Sequence, residues 1–154
     1  MGIHVDTGIN RAGLQMADAR ALADEPDALA GLDVHHVLSH LASADEPHSA
    51  EPEAQLARFA TVRRALPQGL ASIANSAGTF RDPAFHLDLV RPGIALYGGG
   101  PVPGLPVPLE PVVVVEAPIL QLRDVRPGDH VGYGATYRVD RDERHAVIPL
   151  GYAC

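Results

Sequence analysis

Lysine is absent from this sequence, because all 12 basic residues among its 154 positions are arginine. A guanidinium group stays protonated in proteins and offers no free amine. Chemistry that requires an amine side chain therefore cannot be carried by this polypeptide.

Cysteine, basic clusters and long apolar runs are scarce too. The single cysteine, Cys154, has no partner for an internal disulfide, which fits a reducing compartment. No apolar run approaches the ~18 residues of a membrane span and no signal peptide opens the sequence, so we expect a cytoplasmic protein with no membrane partner. The net charge is −7, and residues 1–60 hold ten acidic residues against three arginines. Without a basic stripe to neutralise a phosphate backbone, the sequence predicts no nucleic-acid partner.

What is present is an ordinary globular composition, with 46% hydrophobic and 20% charged residues. In the first hundred residues, short apolar runs alternate with stretches of helical spacing. Strands are predicted at 2–5, 32–41, 69–74 and 87–98, and helices within 14–30 and from Ser49 onwards. In the second helix the apolar residues recur every three or four positions, at Leu56, Phe59, Val62 and Leu66. This alternation predicts an α/β fold with a parallel sheet covered by helices.

The pattern changes at residues 99–111, which hold five prolines and three glycines in thirteen positions. Such a segment forms neither regular helix nor an interior strand, so it is the predicted linker between domains 1–98 and 112–154. The second domain has runs rich in valine and isoleucine at 112–122 and 145–152, with a turn at 127–129, and predicts antiparallel β structure. A complete (β/α)8 barrel needs about 250 residues. Three or four strands would supply only part of one.

Three histidines, His35, His36 and His40, raise the possibility of a metal site. On a helix, His36 and His40 would share a face, but on the predicted strand each side chain takes its face by alternation. No acidic or cysteine ligand stands at a suitable spacing. The sequence therefore predicts no metal site, and the alternative is that these histidines cap or line the sheet.

Polar residues that follow the predicted strands are better candidates for chemistry. Residues 6–11, His40, Asn75 with Ser76, and Arg91 stand where apolar runs end, and parallel α/β sheets place their sites there. Gly93, next to Ile94, could let backbone N–H groups approach an anion such as phosphate. Tyr133 lies between two glycines, which predicts an exposed aromatic ring. Ordinary roles remain open: a turn tyrosine, a core histidine at His40 and a salt-bridge partner at Arg91.

Six segments, read in order, resemble alanine racemase. They are VDTGINRAGL (5–14), SHLASAD (39–45), ANSAGTF (74–80), VRPGIALYG (90–98), VGYGATY (131–137) and IPLGYA (148–153). The resemblance implies a partial (β/α)8 barrel that holds pyridoxal 5′-phosphate, followed by the start of a β domain, in a homodimer. It also implies interconversion of L- and D-alanine, which supplies D-alanine for peptidoglycan. The chain would be a central fragment of such an enzyme.

Residue roles follow from the same resemblance. Tyr133 matches the catalytic tyrosine, which reaches the partner subunit's cofactor, and His40 matches its hydrogen-bond partner. Arg91 matches the arginine that faces the pyridine nitrogen of the cofactor and keeps it unprotonated. Arg11 matches the arginine that binds the substrate carboxylate. The remaining matches are to phosphate-holding positions at Ser76, Gly93 and Ile94, and to a second active-site tyrosine at Tyr152.

The departures from the family pattern concern lysine above all. The family uses a lysine as the Schiff-base amine and as the base on the opposite face of the substrate, and none is present here. His4 stands where many members have a carbamylated lysine that orients the arginine at position 11, and Cys154 stands where aspartate is usual. Because racemisation by two bases needs groups on both faces of the substrate, we expect the chain to be inactive alone. The alternatives are a non-catalytic domain that binds pyridoxal phosphate or a small anion, and complementation by a separately encoded N-terminal piece.

Overall fold

The computed structural model describes residues 1–104, 106 and 108–151. The chain divides into two compact units, with the boundary between Val113 and Val114. Within the described residues, no helix is both long and apolar enough to cross a membrane.

The first unit contains a parallel sheet of three strands, β1 (Gly2–His4), β2 (His36–Leu38) and β3 (Leu70–Ser72), in the order β1-β2-β3. The register places Ile3 opposite Val37, and Val37 opposite Ala71. Three helices accompany the strands: α1 (Met16–Asp24), α2 (Glu51–Arg63) and α3 (Ser76–Arg81). The parallel α/β arrangement predicted from the alternation of apolar runs is therefore confirmed.

Helix α2 begins at Glu51, close to the predicted start at Ser49, but it ends at Arg63, so Leu66 of the predicted apolar pattern lies outside it. Pro52 lies in its first turn together with Glu51 and Glu53, and Arg63 lies in the last turn, so the charges complement the helix dipole. Its buried face contains Phe59 and Val62, each 1% exposed. Pro52 and Gln55 are buried as well, and Leu56 is only partly buried. The sequence pattern therefore missed a polar residue in the core.

Residues 87–98 do not form the predicted strand. The segment runs beside β3, with Asp88 N donating to Ala71 O (3.1 Å) and Arg91 N donating to Ala74 O (3.0 Å). Regular pairing fails because the Asp88 carboxylate accepts the N–H of Ala71 (2.8 Å) and because Leu87 has a positive φ of 48°. Ile94–Tyr97 then forms a 3-10 turn. The predicted strand 32–41 is likewise shorter, since only His36–Leu38 is paired.

Among its described residues, 114–151, the second unit contains two antiparallel pairs of strands. Strand β4 (Gln121–Val125) pairs with β7 (Glu143–Val147), and β5 (His130–Val131) pairs with β6 (Tyr137–Arg138). The predicted turn at 127–129 is present, with Gly128 at φ 96°. The predicted run at 112–122 is mostly wrong, because strand structure begins only at Gln121. Val112 to Val115 are 54–77% exposed, and no described strand pairs with them.

Candidate functional site

The carboxyl ends of the three parallel strands meet at one edge of the sheet in the first unit. A cavity of about 480 Å³ opens there, and its lining includes five predicted site residues: His40, Ser76, Arg91, Gly93 and Ile94. Asp45 and Asn75 also line it. His40 follows β2 and Ser76 follows β3, as the sequence pattern predicts, whereas Arg91, Gly93 and Ile94 follow the irregular segment beside β3.

An anion cradle, formed by Ser76 and the backbone of 93–95, lies in this cavity. The hydroxyl oxygen of Ser76 accepts the backbone N–H of Gly93 (2.7 Å) and of Ala95 (3.3 Å). A Cβ at Gly93 would meet no atom within 4 Å, so the space beside this backbone is open. Ser76 itself is 6% exposed and begins α3. In this arrangement the Ser76 oxygen is the acceptor of both N–H groups, and the Ser76 hydroxyl hydrogen remains available to donate to an anion such as a phosphate oxygen.

The guanidinium of Arg91 is fixed between the ends of β2 and β3. One of its nitrogens donates to Ser39 O (2.6 Å), and another donates to the Ser72 hydroxyl. The Ser72 hydroxyl in turn donates to Leu89 O (2.6 Å). Burial lowers the pKa of Arg91. None of the ion pairs formed by the described residues includes Arg91, so the structure does not support the salt-bridge alternative.

The loop after β1 is organised by the carboxylate of Asp6. It accepts backbone N–H groups from Gly8 (2.9 Å), Asn10 (3.1 Å) and Arg11 (3.2 Å). Burial alone would raise the pKa of Asp6, but these N–H groups outweigh it and lower the pKa. Asn10 has a positive φ of 55°, which asparagine tolerates better than most residues. The result is a closed loop that presents the exposed side chain of Arg11.

His40 lines the cavity from the end of β2, so it is not a core histidine. Burial lowers its pKa, and the positive charges of Arg11 and Arg91 lower it further. The imidazole is therefore neutral at neutral pH, with one nitrogen able to accept a hydrogen bond. The pKa of His4 is also lowered, by burial and by the positive charge of Arg91, although the negative charge of Asp6 acts in the opposite direction. Its Nε2 atom is buried and has no hydrogen-bond partner among the described residues.

The histidines do not converge. His35 lies beside Asp33 (3.2 Å) at the surface, and its ring centre is 6.4 Å from that of His36. In the part of the chain that the structure describes, no group of three metal-ligating side chains comes together.

Tyr133 belongs to the second unit, at the tip of the hairpin formed by β5 and β6, and it is 100% exposed. Gly132 and Gly134 have φ values of 79° and 72°, which explains why glycine flanks the tyrosine. Tyr152, the other predicted tyrosine, lies outside the described residues.

Sequence reasoning included Thr7 within residues 6–11 but missed Ser39 and Gln55, which hold these loops in place together with it. Thr7, Ser39 and Gln55 are buried and hydrogen-bonded to one another. A glutamine four residues before Phe59, on the apolar face of a helix, was the one available signal.

Comparison with known proteins gives concordant matches. Residues 1–101 match the family model of the alanine racemase N-terminal domain, and residues 112–153 match that of the alanine racemase C-terminal domain. The alanine racemase of Acidiphilium cryptum is 45% identical over 98% of this chain, which corresponds to 42% of that protein.

Two solved structures are similar over nearly the whole chain. The alanine racemase from Bartonella henselae with covalently bound pyridoxal phosphate has a TM-score of 0.74 at 40% identity, over 97% of this chain and 42% of that one. The biosynthetic alanine racemase from Pseudomonas aeruginosa has a TM-score of 0.78 at 35% identity, over 98% of this chain and 43% of that one. The chain thus spans about two fifths of the length of these relatives. The likeness confirms the expected fold class, a partial barrel-type α/β fold followed by the start of a β domain.

Proposed function

The chain belongs to the alanine racemase family, and from this premise we propose that it forms the phosphate-binding and ring-nitrogen-binding part of a pyridoxal 5′-phosphate site that racemises alanine. The observation that carries the proposal is that Ser76, Gly93 and Arg91 line one cavity, where the Ser76 hydroxyl gathers the N–H groups of Gly93 and Ala95. When bound, the cofactor would supply an electron sink for the carbanion at the substrate Cα.

Each cavity residue has a defined task in this proposal. The Ser76 hydroxyl and the backbone at Gly93 and Ile94 bind the phosphate. Arg91 would donate to the pyridine nitrogen of a bound cofactor and keep it unprotonated, because a guanidinium has no acceptor and does not release its proton. The hydrogen bonds of Arg91 to Ser39 and Ser72 hold its planar group in one orientation.

Substrate and proton transfer involve the remaining residues. The planar fork of Arg11 suits an amino-acid carboxylate. Tyr133 is the acid and base on one face of the substrate Cα; since a phenol has a pKa of about 10, it requires help at neutral pH. A neutral His40 provides that help by accepting the phenolic hydrogen. Tyr133 and Tyr152 serve the site of the partner in a homodimer.

The absence of lysine sets a limit on what this chain does by itself. The Schiff-base amine and the base on the opposite face of the substrate cannot be side chains of this polypeptide. We therefore propose that the chain contributes binding groups, with residues 1–98, 99–111 and 112–154 as barrel part, linker and β part. The larger role is cytoplasmic supply of D-alanine for peptidoglycan.

The test uses a cofactor analogue that cannot form a Schiff base. Pyridoxine 5′-phosphate and pyridoxine are titrated against the full chain, with Ser76→Ala as the matched variant. We expect the phosphorylated analogue to bind more tightly, Ser76→Ala to remove most of that preference, and L-alanine to remain unracemised when pyridoxal phosphate is added. Equal binding of both analogues, or sustained racemisation by the chain alone, would contradict the proposal.

A non-catalytic binding domain is the second candidate, and the lack of lysine favours it. It shares the anion cradle but predicts no role for Tyr133 or Arg11. Addition of the part of the Acidiphilium cryptum racemase that this chain does not cover distinguishes the two. Racemisation of L-alanine by the mixture, lost in Tyr133→Phe, supports the catalytic role and the idea of complementation.

A further inference from the structure

Gln55 is a fully buried polar residue (0% exposed) in the middle of helix α2. Its neighbours on the same helix face, Phe59 and Val62, are apolar. A buried amide is costly unless its hydrogen bonds are made, so its partners indicate what it does.

The partners of Gln55 lie in the loops that follow β1 and β2. Its Nε2 atom donates to the carbonyl oxygen of His40 (2.9 Å) and to the hydroxyl of Thr7 (3.2 Å). Its Oε1 atom accepts the backbone N–H of Ala42 (2.8 Å). The hydroxyls of Thr7 and Ser39 are 2.6 Å apart and complete the network. One side chain thus joins both loops to the helix.

This network holds the backbone of His40 on both sides. Before His40, the carbonyl of Ser39 accepts from Arg91 (2.6 Å). At and after His40, Gln55 binds the His40 carbonyl and the Ala42 N–H. The direction in which the imidazole projects from this backbone therefore depends on both Arg91 and Gln55.

Helix α2 makes a second link to the loop after β1. The Nε atom of Arg58 donates to Thr7 O (2.7 Å), and the same guanidinium pairs with Glu51. Arg58 does not contact the loop after β2 through any hydrogen bond among the described residues. The link to His40 therefore belongs to Gln55.

We propose that Gln55 is a positioning residue that sets the orientation of His40 toward the cavity and Arg91. It acts through the backbone and touches neither substrate nor cofactor, so it is not a catalytic residue. The inference rests on the proposed function, which assigns His40 as the hydrogen-bond partner of the catalytic tyrosine.

The test compares Gln55→Met with Val62→Ala in the full chain by NMR. Methionine is similar in size but removes all three hydrogen bonds, whereas Val62→Ala opens a cavity on the same helix and leaves them intact. We expect Gln55→Met to shift the His40 carbonyl and ring signals and to speed exchange of the Ala42 amide by about tenfold. In Val62→Ala, the His40 signals should stay in place even where the denaturation midpoint falls.

Unchanged His40 signals in Gln55→Met, or equal shifts in both variants, would overturn the proposal. If Gln55→Met does not fold, Gln55→Glu decides the question, because a protonated carboxyl can donate to the His40 carbonyl and an ionised one cannot. In that variant, a pH-dependent shift of the His40 carbonyl beyond the one that titration of the His40 ring causes in the wild type supports the assignment; no additional shift overturns it. These readouts need no cofactor, so failure of pyridoxine phosphate to bind would contradict the proposed function separately.

Discussion

The two units hold their candidate functional residues in opposite ways. In the first unit, Arg91 is half-buried and bonded to Ser39 and Ser72, within a network of buried polar side chains. In the second, Tyr133 is 100% exposed at a hairpin tip. Strand pairing orders the backbone of this hairpin, but no described residue binds the ring of Tyr133.

The difference indicates two kinds of contribution to a site. A guanidinium held by Ser39 and Ser72 of its own unit is ready to bind before any ligand arrives. An exposed ring keeps its rotational freedom until it docks against another surface, and then loses that entropy. In line with the proposed function, we therefore infer that the cavity of the first unit is a receptor site and that the hairpin of the second unit is inserted into another site.

The largest expected effect is on the core beneath the receptor site. Phe59→Ala removes a ring that is 1% exposed, and we expect a loss of about 3–5 kcal/mol in the free energy of unfolding of the first unit. Urea denaturation, followed by the amide signals of β2, measures it.

The matched substitution in the second unit is Val139→Ala, since Val139 is also 1% exposed. This substitution removes fewer atoms from a smaller apolar cluster, so we expect a smaller loss in the free energy of unfolding than for Phe59→Ala. An equal or greater loss would show that the hairpin unit has the more demanding core.

The sequence was most informative where a local rule decides the structure. Glycines on both sides of Tyr133 predicted a turn with an exposed ring, because positive φ values at those positions need glycine. The ends of apolar runs located the cavity, because parallel strands bring their carboxyl ends to one edge. Both rules require only neighbours in the chain.

The sequence was least informative where a polar side chain replaces a regular contact. Gln55 interrupts an apolar helix face, and nothing nearby in sequence reveals its partners Thr7 and His40, 48 and 15 residues away. Asp88 substitutes its carboxylate for a backbone partner of Ala71, which turns a predicted strand into an irregular segment. Such exchanges depend on tertiary proximity.

Substitution of Arg91 is expected to have the next largest effect on the free energy of unfolding. Arg91→Met removes the charged donors from Ser39 O and the Ser72 hydroxyl, and we expect a loss of about 2 kcal/mol, because the guanidinium is only half-buried. Denaturant unfolding measures it. Arg91→Lys retains the charge but not the fork, so it should recover only part of the loss; full recovery would mean that the paired geometry contributes little.

A smaller effect follows from the histidines of the receptor site. The pKa of His40 is lowered from 6.5 by burial and by Arg11 and Arg91, and that of His4 by burial and Arg91. Unfolded histidines then bind protons more readily than folded ones, so stability is complete above pH 6.5 and falls as the pH drops below it. Asp6, whose pKa is lowered, adds a second loss below about pH 4. Unfolding measured between pH 8 and 3 should show both stages.

The double variant His4→Gln and His40→Gln tests the assignment of the first stage. It should flatten the curve between pH 7 and 5 and leave the acid stage of Asp6 in place. A first stage that survives the double variant would assign it to other groups.

The smallest expected effect is that of Tyr133→Phe on the isolated chain. Its hydroxyl is fully exposed, so removal should leave the denaturation midpoint and the binding of pyridoxine phosphate unchanged within error. The same substitution should abolish racemisation in any mixture that contains the missing lysine. A fall in stability or in analogue binding would mean that the ring already packs against its own chain, and the contrast between receptor and inserted hairpin would fail.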